Sequence, residues 1–297
     1  MLLYPASYRS FAFNSHLAAD GTNVEANVHT TVTIDARSIV TGYRDLRDPL
    51  HLAQGGTLGR VHKNMTLIRL AGRIEATDAA QPQGLADRER EMLAAFDPYL
   101  CYLASPTTDG AFAFDFTEAT ADTTNYPTMR IPLRYYARPV ERPSIEERIG
   151  ENGWRGYALG LVAPDPRCYE QTLGSLSLTP GAPSGAVVNK GNAPSPLRAT
   201  ITMGGAGASN FTISDGSTSF VLTLAGLVNG SVVVANMETS GPFGRGRRVT
   251  LNGADYFSAK TSSAATWLAV PVGSTTFTIT NTTNVTSCVL AWGHARA

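Results

Sequence analysis

Apolar and polar residues alternate through MTLIRLAGRIEAT, residues 65–77. Leu67, Arg69, Ala71, Arg73 and Glu75 fall on one face; Ile68, Leu70, Gly72, Ile74 and Ala76 fall on the other. A period of two marks a strand in a sheet with one wet side. Phe11 to Asn14, Ala26 to Ile34 and Trp154 to Val162 read as further strands. The period lengthens in LADREREMLAAFDP, residues 85–98, where Leu85, Met92, Leu93 and Phe96 share a helical face. Asp87, Glu89 and Glu91 crowd the N-terminal half of that stretch, where a helix dipole favours anions, and Pro98 biases Asp97 out of helical geometry and ends it. Beyond it CYLASP and AFAFDFTEA alternate again. MRIPLRYYARPVERPS carries three prolines, which predicts an edge strand or an exposed arm.

Residues 41–64, TGYRDLRDPLHLAQGGTLGRVHKN, are long, polar and broken by Pro49, Gly55, Gly56 and Gly59. A connection of that length is usually functional or flexible. VAPDPRCYEQT, residues 162–172, places two prolines around Asp165 and makes a stiff exit from the strand before it. From residue 176 onward the chain is rich in Gly, Ser, Thr, Val and Ala. Strands are predicted at LRATITM, NFTISD, SFVLTLA, SVVVANME, RRVTLNG, TWLAVP, STTFTITN and SCVLAWG. Turn signals such as Asp215-Gly216, Asn229-Gly230 and Asn252-Gly253 separate them. About eight short, near-regular strands predict a β-sandwich of jelly-roll type. The chain is therefore expected to be mainly β, in two domains: 1–170, a sandwich-like sheet domain with one helix and a long arm, and 171–297, the sandwich.

Composition fits that division. The 297 residues are 43% hydrophobic and 16% charged, enough to bury two cores. The net charge is zero but unevenly spread: from residue 171 onward seven cations face three anions, leaving seventeen cations and twenty-one anions before it. That asymmetry is too mild for a nucleic-acid-binding module. Cys101, Cys168 and Cys288 form no CxxC pair, which fits small buried residues in a chain made in a reducing cytosol. No basic start with an apolar run and no stretch of about 20 apolar residues appears, so neither a signal peptide nor membrane insertion is expected.

Signatures of chemistry are sparse. The five histidines are scattered without HExxH spacing, and neither a GxSxG elbow nor a P-loop occurs. No catalytic residue, metal or cofactor is expected. Asp115 and Glu118, with Asp109 nearby, flank a Phe-rich strand and read as a solvated face, because a glycosidase pair is not recognisable from sequence. GPFGRGRRVTLNG, residues 241–253, is the one basic cluster and reads as an exposed loop able to pair with acidic residues of a partner protein. Among the sandwich aromatics, Phe211, Phe220, Phe277 and Trp292 alternate with polar residues and are expected in the core. Phe243, Tyr256 and Trp267, read as lying on exposed loops, are candidates for stacking on a host glycan.

One order of signals joins these readings: the strand MTLIRLAGRIEAT, the helix REREMLAAFDP, the exit LVAPDPRCYE, and NKGNAPSPLRATITMGG with NFTISD behind it. This succession resembles the distal tail protein (Dit) family of bacteriophages with long, non-contractile tails. The resemblance implies a non-enzymatic structural protein of the virion tail tip, synthesised in the host cytoplasm. Its N-terminal domain would form a homo-hexameric ring joining the tail tube protein to tail-tip hub or fibre proteins at the baseplate. DNA would pass the lumen without specific binding, and a galectin-like sandwich would hang outside the ring. It also implies an inter-subunit arm within residues 41–64, with Tyr43, Arg44, Leu46, Leu50 and Leu52 as its contacts. The alternative reading is a carbohydrate-binding protein that recognises a host surface through the sandwich.

Overall fold

The computed structural model describes residues 6–9, 11–13, 28–40, 65–76, 82–104, 111–146, 154–237, 241–243, 246–261 and 267–297. The fold is mainly β. It divides into two compact units, Met1–Cys168 and Tyr169–Ala297. The arm residues Tyr43, Arg44, Leu46, Leu50 and Leu52 lie outside the described residues.

The first unit holds β1 (Ala6–Tyr8), β2 (Phe11–Phe13), β3 (Val28–Val40), β4 (Met65–Ala76), α1 (Pro82–Ala95), α2 (Pro98–Ala104), β5 (Phe112–Ala119), β6 (Arg130–Pro139), β7 (Ser144–Glu146) and β8 (Trp154–Ala163). Its strands pair antiparallel in the order β2-β1-β5-β6-β8-β4-β3, with β7 beside β8. The alternation in β4 does what its sequence predicts: Ile68, Leu70 and Ile74 are buried while Arg69 and Arg73 face water. The core is largely aromatic. Phe96, which follows α1, stacks on Tyr8 at 4.8 Å between ring centres and meets Phe13 at 5.7 Å and Phe11 at 5.9 Å.

Three local expectations are corrected. The helix begins at Pro82, suited to a first turn because its missing N–H would be unpaired there anyway. Asp87, Glu89 and Glu91 therefore lie past the first turn and act through partners: Asp87 with Arg90, Glu91 with Arg88, Glu89 with Arg155. Of CYLASP, the described residues Cys101–Ala104 complete α2 instead of forming a strand. Asp97 makes the difference, accepting the backbone N–H groups of Tyr99 at 2.8 Å and Leu100 at 3.1 Å, while its own carbonyl accepts from Cys101 at 2.9 Å. Pro98, read as a stop, begins this second helix.

The proline-rich tract is neither an arm nor a simple edge. It forms β6, paired along its length with β5 and at Arg138 and Pro139 with β8. Pro132 is tolerated because β8 does not reach that half of the strand, where a missing N–H leaves no ladder bond broken. Arg134 turns toward Asp115 directly opposite on β5, at 2.5 and 2.8 Å, which assigns two charges on that wet face to each other.

The exit segment is tied down by its acid. Asp165 is buried and accepts from the backbone N–H of Arg167 at 3.1 Å and from its guanidinium at 2.9 and 3.0 Å. β9 (Cys168–Glu170) follows.

In the second unit, β10 (Gly174–Leu178), β11 (Ser184–Asn189), β12 (Ser195–Met203), β13 (Phe211–Ser214), β14 (Ser219–Leu222), β15 (Val232–Asn236), β16 (Arg248–Leu251), β17 (Ala254–Asp255), β18 (Ala269–Val270), β19 (Gly273–Thr280) and β20 (Val285–Trp292) build two sheets, while β21 (Ala295–Arg296) pairs with β9. One runs β10-β20-β12-β15-β16-β17 with β18 on β12; the other runs β11-β19-β13-β14. Their inner faces bury Phe211, Phe220, Phe277 and Trp292, as the alternation predicts, together with Leu197, Ile201, Val233 and Leu290. β10 and β11 were not legible: each alternates over five or six residues of Ser, Gly, Ala and a single buried large side chain, Leu178 or Val187. Asn252 and Gly253, both at positive φ, close the β16–β17 hairpin, as an Asn-Gly pair should.

Candidate functional site

The stretch between β11 and β12 carries no reactive group but is densely fixed. Buried Asn189 donates from Nδ2 to the Ala193 carbonyl at 2.8 Å and the Val270 carbonyl at 3.3 Å, and its Oδ1 accepts the Gly191 N–H at 3.0 Å. A side chain at Gly191 would overlap the Ala295 carbonyl, so glycine is required for the backbone of β21 to lie against the turn. Ala193 N–H then donates to that same carbonyl at 3.1 Å, and Ser195 Oγ bonds the Gly293 carbonyl. Polar atoms here are used on scaffold, not on a ligand.

The three stacking candidates are not brought together on exposed loops. Phe243 is buried, its ring covered by the Arg198 guanidinium 4.7 Å from its centre. Gly241, at φ +102°, permits the turn that folds the ring back, and its packing against Tyr169 and Pro196 leaves little room for a side chain there. Tyr256 is half-buried on the core edge, with its hydroxyl 3.5 Å from the Thr223 carbonyl. Trp267 is half-buried between Phe220 at 5.2 Å and Phe257 at 6.0 Å. Lys260 Nζ lies 5.3 Å and Arg247 Cζ 5.8 Å from the Trp267 ring centre, so two cations already attend its π surface. Phe257, 47% exposed, presents the open ring of this cluster.

In the first unit the notable surface is α2. Cys101 is fully buried and anchors it, while Tyr99, Leu100, Tyr102 and Leu103 are 67%, 44%, 49% and 55% exposed. The helix is held at its start by Asp97, whose carboxylate also meets Arg142 at 2.5 Å. The N–H of Leu100 is the main cause of the Asp97 carboxyl lying below its usual range, with Arg142 and the Tyr99 N–H adding to it against the effect of burial. Four large apolar side chains without a charge among them are unusual on a soluble surface and mark contact surfaces.

Burial shifts several ionisable groups among the described residues. Burial pushes the Cys288 thiol up to about 12. Tyr8 and Tyr157 are likewise pushed well above the ordinary phenol range by burial. Among the described residues no group of three His, Cys, Asp or Glu side chains is placed to hold a metal ion, and no helix is long and apolar enough to cross a membrane.

Residues 190–293 match the family described as siphovirus-type tail component, C-terminal domain. The match begins at the Lys190-Gly191-Asn192 turn and runs to Gly293, taking in β12 to β20 and leaving out β10 and β11. The fold of the whole chain is similar to the crystal structure of the SPP1 Dit (gp 19.1) protein: TM-score 0.52 and 15% identity, over 98% of this chain and 98% of that one. A sucrose-6-phosphate hydrolase from Lactobacillus gasseri aligns at 10% identity over 78% of this chain and 64% of its own, with a TM-score of 0.18, too low to carry any argument. No curated protein matches the chain. The resemblance to the distal tail protein family is thus borne out in the match of the C-terminal domain and in the fold.

Proposed function

We propose that this chain is the distal tail protein of a long-tailed, non-contractile phage. Residues 1–170 form a hexameric ring that joins the tail tube to the tail-tip or baseplate proteins and surrounds the DNA channel, and residues 171–297 form a galectin-like sandwich borne on it. The observation that carries the proposal is the likeness in fold over 98% of both chains to SPP1 Dit, a protein described as a paradigm of the hub adsorption apparatus in phages infecting Gram-positive hosts. Two features support assembly. The apolar face of α2 is a surface for another copy of the chain, and the excess of anions before residue 171 suits a lumen that lets DNA pass. A ring closed by heterologous contacts also needs arms that reach the next subunit, the role proposed for Tyr43, Arg44, Leu46, Leu50 and Leu52.

Light scattering on the purified protein should give six times the 31.5 kDa chain mass, and labelled antibody should mark the tail tip in micrographs of particles. A strict monomer together with label away from the tip would sink the reading.

The exposed Phe257 beside Trp267 and Tyr256 favours a second activity, recognition of a host glycan by the sandwich. Binding on a glycan array that is lost in Trp267→Ala supports it; silence across the array removes it.

A further inference from the structure

The side of the sandwich between β14 and β16 is closed by a short segment that both strands hold. Tyr256 N–H donates to the Val249 carbonyl of β16 at 2.8 Å. Thr223 N–H, just past β14, donates to the Ala259 carbonyl at 2.7 Å, and Thr261 N–H donates to the Val221 carbonyl of β14 at 3.2 Å. A single 3-10 turn, Phe257–Ala259, lies between these anchors, pegged by buried Ala259. A backbone tied to both sheets carries its side chains into binding already ordered. Phe257 and Lys260 thus stand on a fixed frame.

Aromatic and cationic groups converge on that frame. Trp267 is packed between fully buried Phe220 and exposed Phe257, so the core fixes the inner ring and water reaches the outer one. Lys260 and Arg247 both lie within 6 Å of the Trp267 ring centre, Lys260 half-buried and Arg247 exposed. Arg247 Nε donates to the Met237 carbonyl at 3.3 Å, which fixes one edge of its guanidinium. Among the described residues neither cation meets a carboxylate. Asp255 is near in sequence but is the register partner of Thr250, the neighbour of buried Val249, so it stands with Arg248 on the outer face of the sheet. Exposed Thr261 adds a hydroxyl, 3.5 Å from that of Thr223.

We infer that this cluster binds an acidic glycan: the C–H face of a sugar ring rests on Phe257, and a carboxylate or phosphate of the same polymer takes Arg247 and Lys260. Arginine and lysine carry donors alone, so their natural partners are anions that only accept. The Thr261 hydroxyl both donates and accepts, as sugar hydroxyls require. A neutral sugar would use the ring and leave both cations without counter-charge. Single-stranded nucleic acid also carries phosphate, but it binds along a row of rings that take successive bases, and only one ring stands open here among the described residues. The inference rests on the glycan reading above and narrows it to a charged class. Equal binding of neutral and acidic glycans removes the charge and leaves that reading intact, whereas silence of every glycan removes both.

The test is calorimetric titration of the full-length protein at about 50 mM salt, where screening is weak, with phosphomannan, oligogalacturonate and their neutral counterparts, mannan and the methyl ester. Saturable binding of an acidic polymer is expected, phosphomannan assigning the acid to phosphate and oligogalacturonate to carboxylate, with the neutral forms about tenfold weaker. Phe257→Ala, Lys260→Gln and Arg247→Gln should each weaken binding about tenfold at an unchanged Tm, because all three side chains reach solvent. Arg248→Gln removes the same charge from the outer face of the sheet and should leave the affinity unchanged. The proposal is overturned by absence of saturation, by equal affinity for the neutral forms, or by full affinity of Phe257→Ala. It is also overturned if Arg248→Gln weakens binding as much as Lys260→Gln, which makes the attraction diffuse, or if oligothymidylate binds more tightly than either acidic polymer.

Discussion

His294, between β20 and β21, accepts the backbone N–H of Lys190 on its Nδ1 at 3.1 Å, edge-on to Trp292. Burial is the main cause holding its imidazole below the ordinary value of 6.5; Lys190 and Arg296 add to the shift and Glu170 opposes it. A histidine kept neutral by the fold contributes stability that is complete above 6.5 and is lost as pH falls through the lowered folded value. Thermal melts should therefore show a falling Tm below pH 6.5, and His294→Gln, which keeps an acceptor but cannot titrate, should flatten that part of the profile. The opposite slope, or an unchanged one in the variant, refutes the assignment. A lone histidine near the end of a chain announces none of this. Its partners come from residues 170, 190 and 296, brought together only when β21 folds back along the turn at Gly191.

At the scale of elements, α2 shows how a few hydrogen bonds redirect a sequence. Period-two reading of CYLASP was reasonable, yet Asp97 supplies an acceptor for two N–H groups, and Pro98 supplies a preset φ. Asp97→Ala should cost about 1–2 kcal/mol, read from chemical denaturation, by loss of the cap. A cost near zero would mean packing of Cys101 alone holds the helix. Leu103→Glu, on the exposed side, is expected to leave the Tm within about 2 °C, as surface changes do, while reducing the assembled fraction in light scattering. Full assembly of that variant removes α2 from the proposed subunit contact. The long, regular elements were legible: β4, β12 and the body of α1 each carry enough apolar residues at one period to fix the buried face. β10 and β11 were not, because each is only five or six residues long with a single large side chain fully buried.

At the scale of the molecule, each unit has its own apolar core, aromatic in the first and mixed aliphatic and aromatic in the second. Phe277→Ala, at a fully buried site in the second core, should cost about 3–5 kcal/mol in the transition that reports that unit. A change under about 1 kcal/mol in calorimetry would mean the sandwich is far looser than its burial implies.

Periodicity and turn chemistry alone determined that the chain is mainly β, which residues of β4 and the sandwich face inward, and where Asn-Gly closes a hairpin. The ordered set of those signals pointed to a phage tail component. Tertiary structure alone decided that Phe243 is covered and not displayed, that a proline-rich tract runs inside a sheet, and that Arg198, Asn236 and Arg248 form one row. Alternation records whether a side chain meets water or core, a property of its own strand. Which strands lie side by side, and so which polar groups become neighbours, depends on residues far apart in the chain and leaves no local trace.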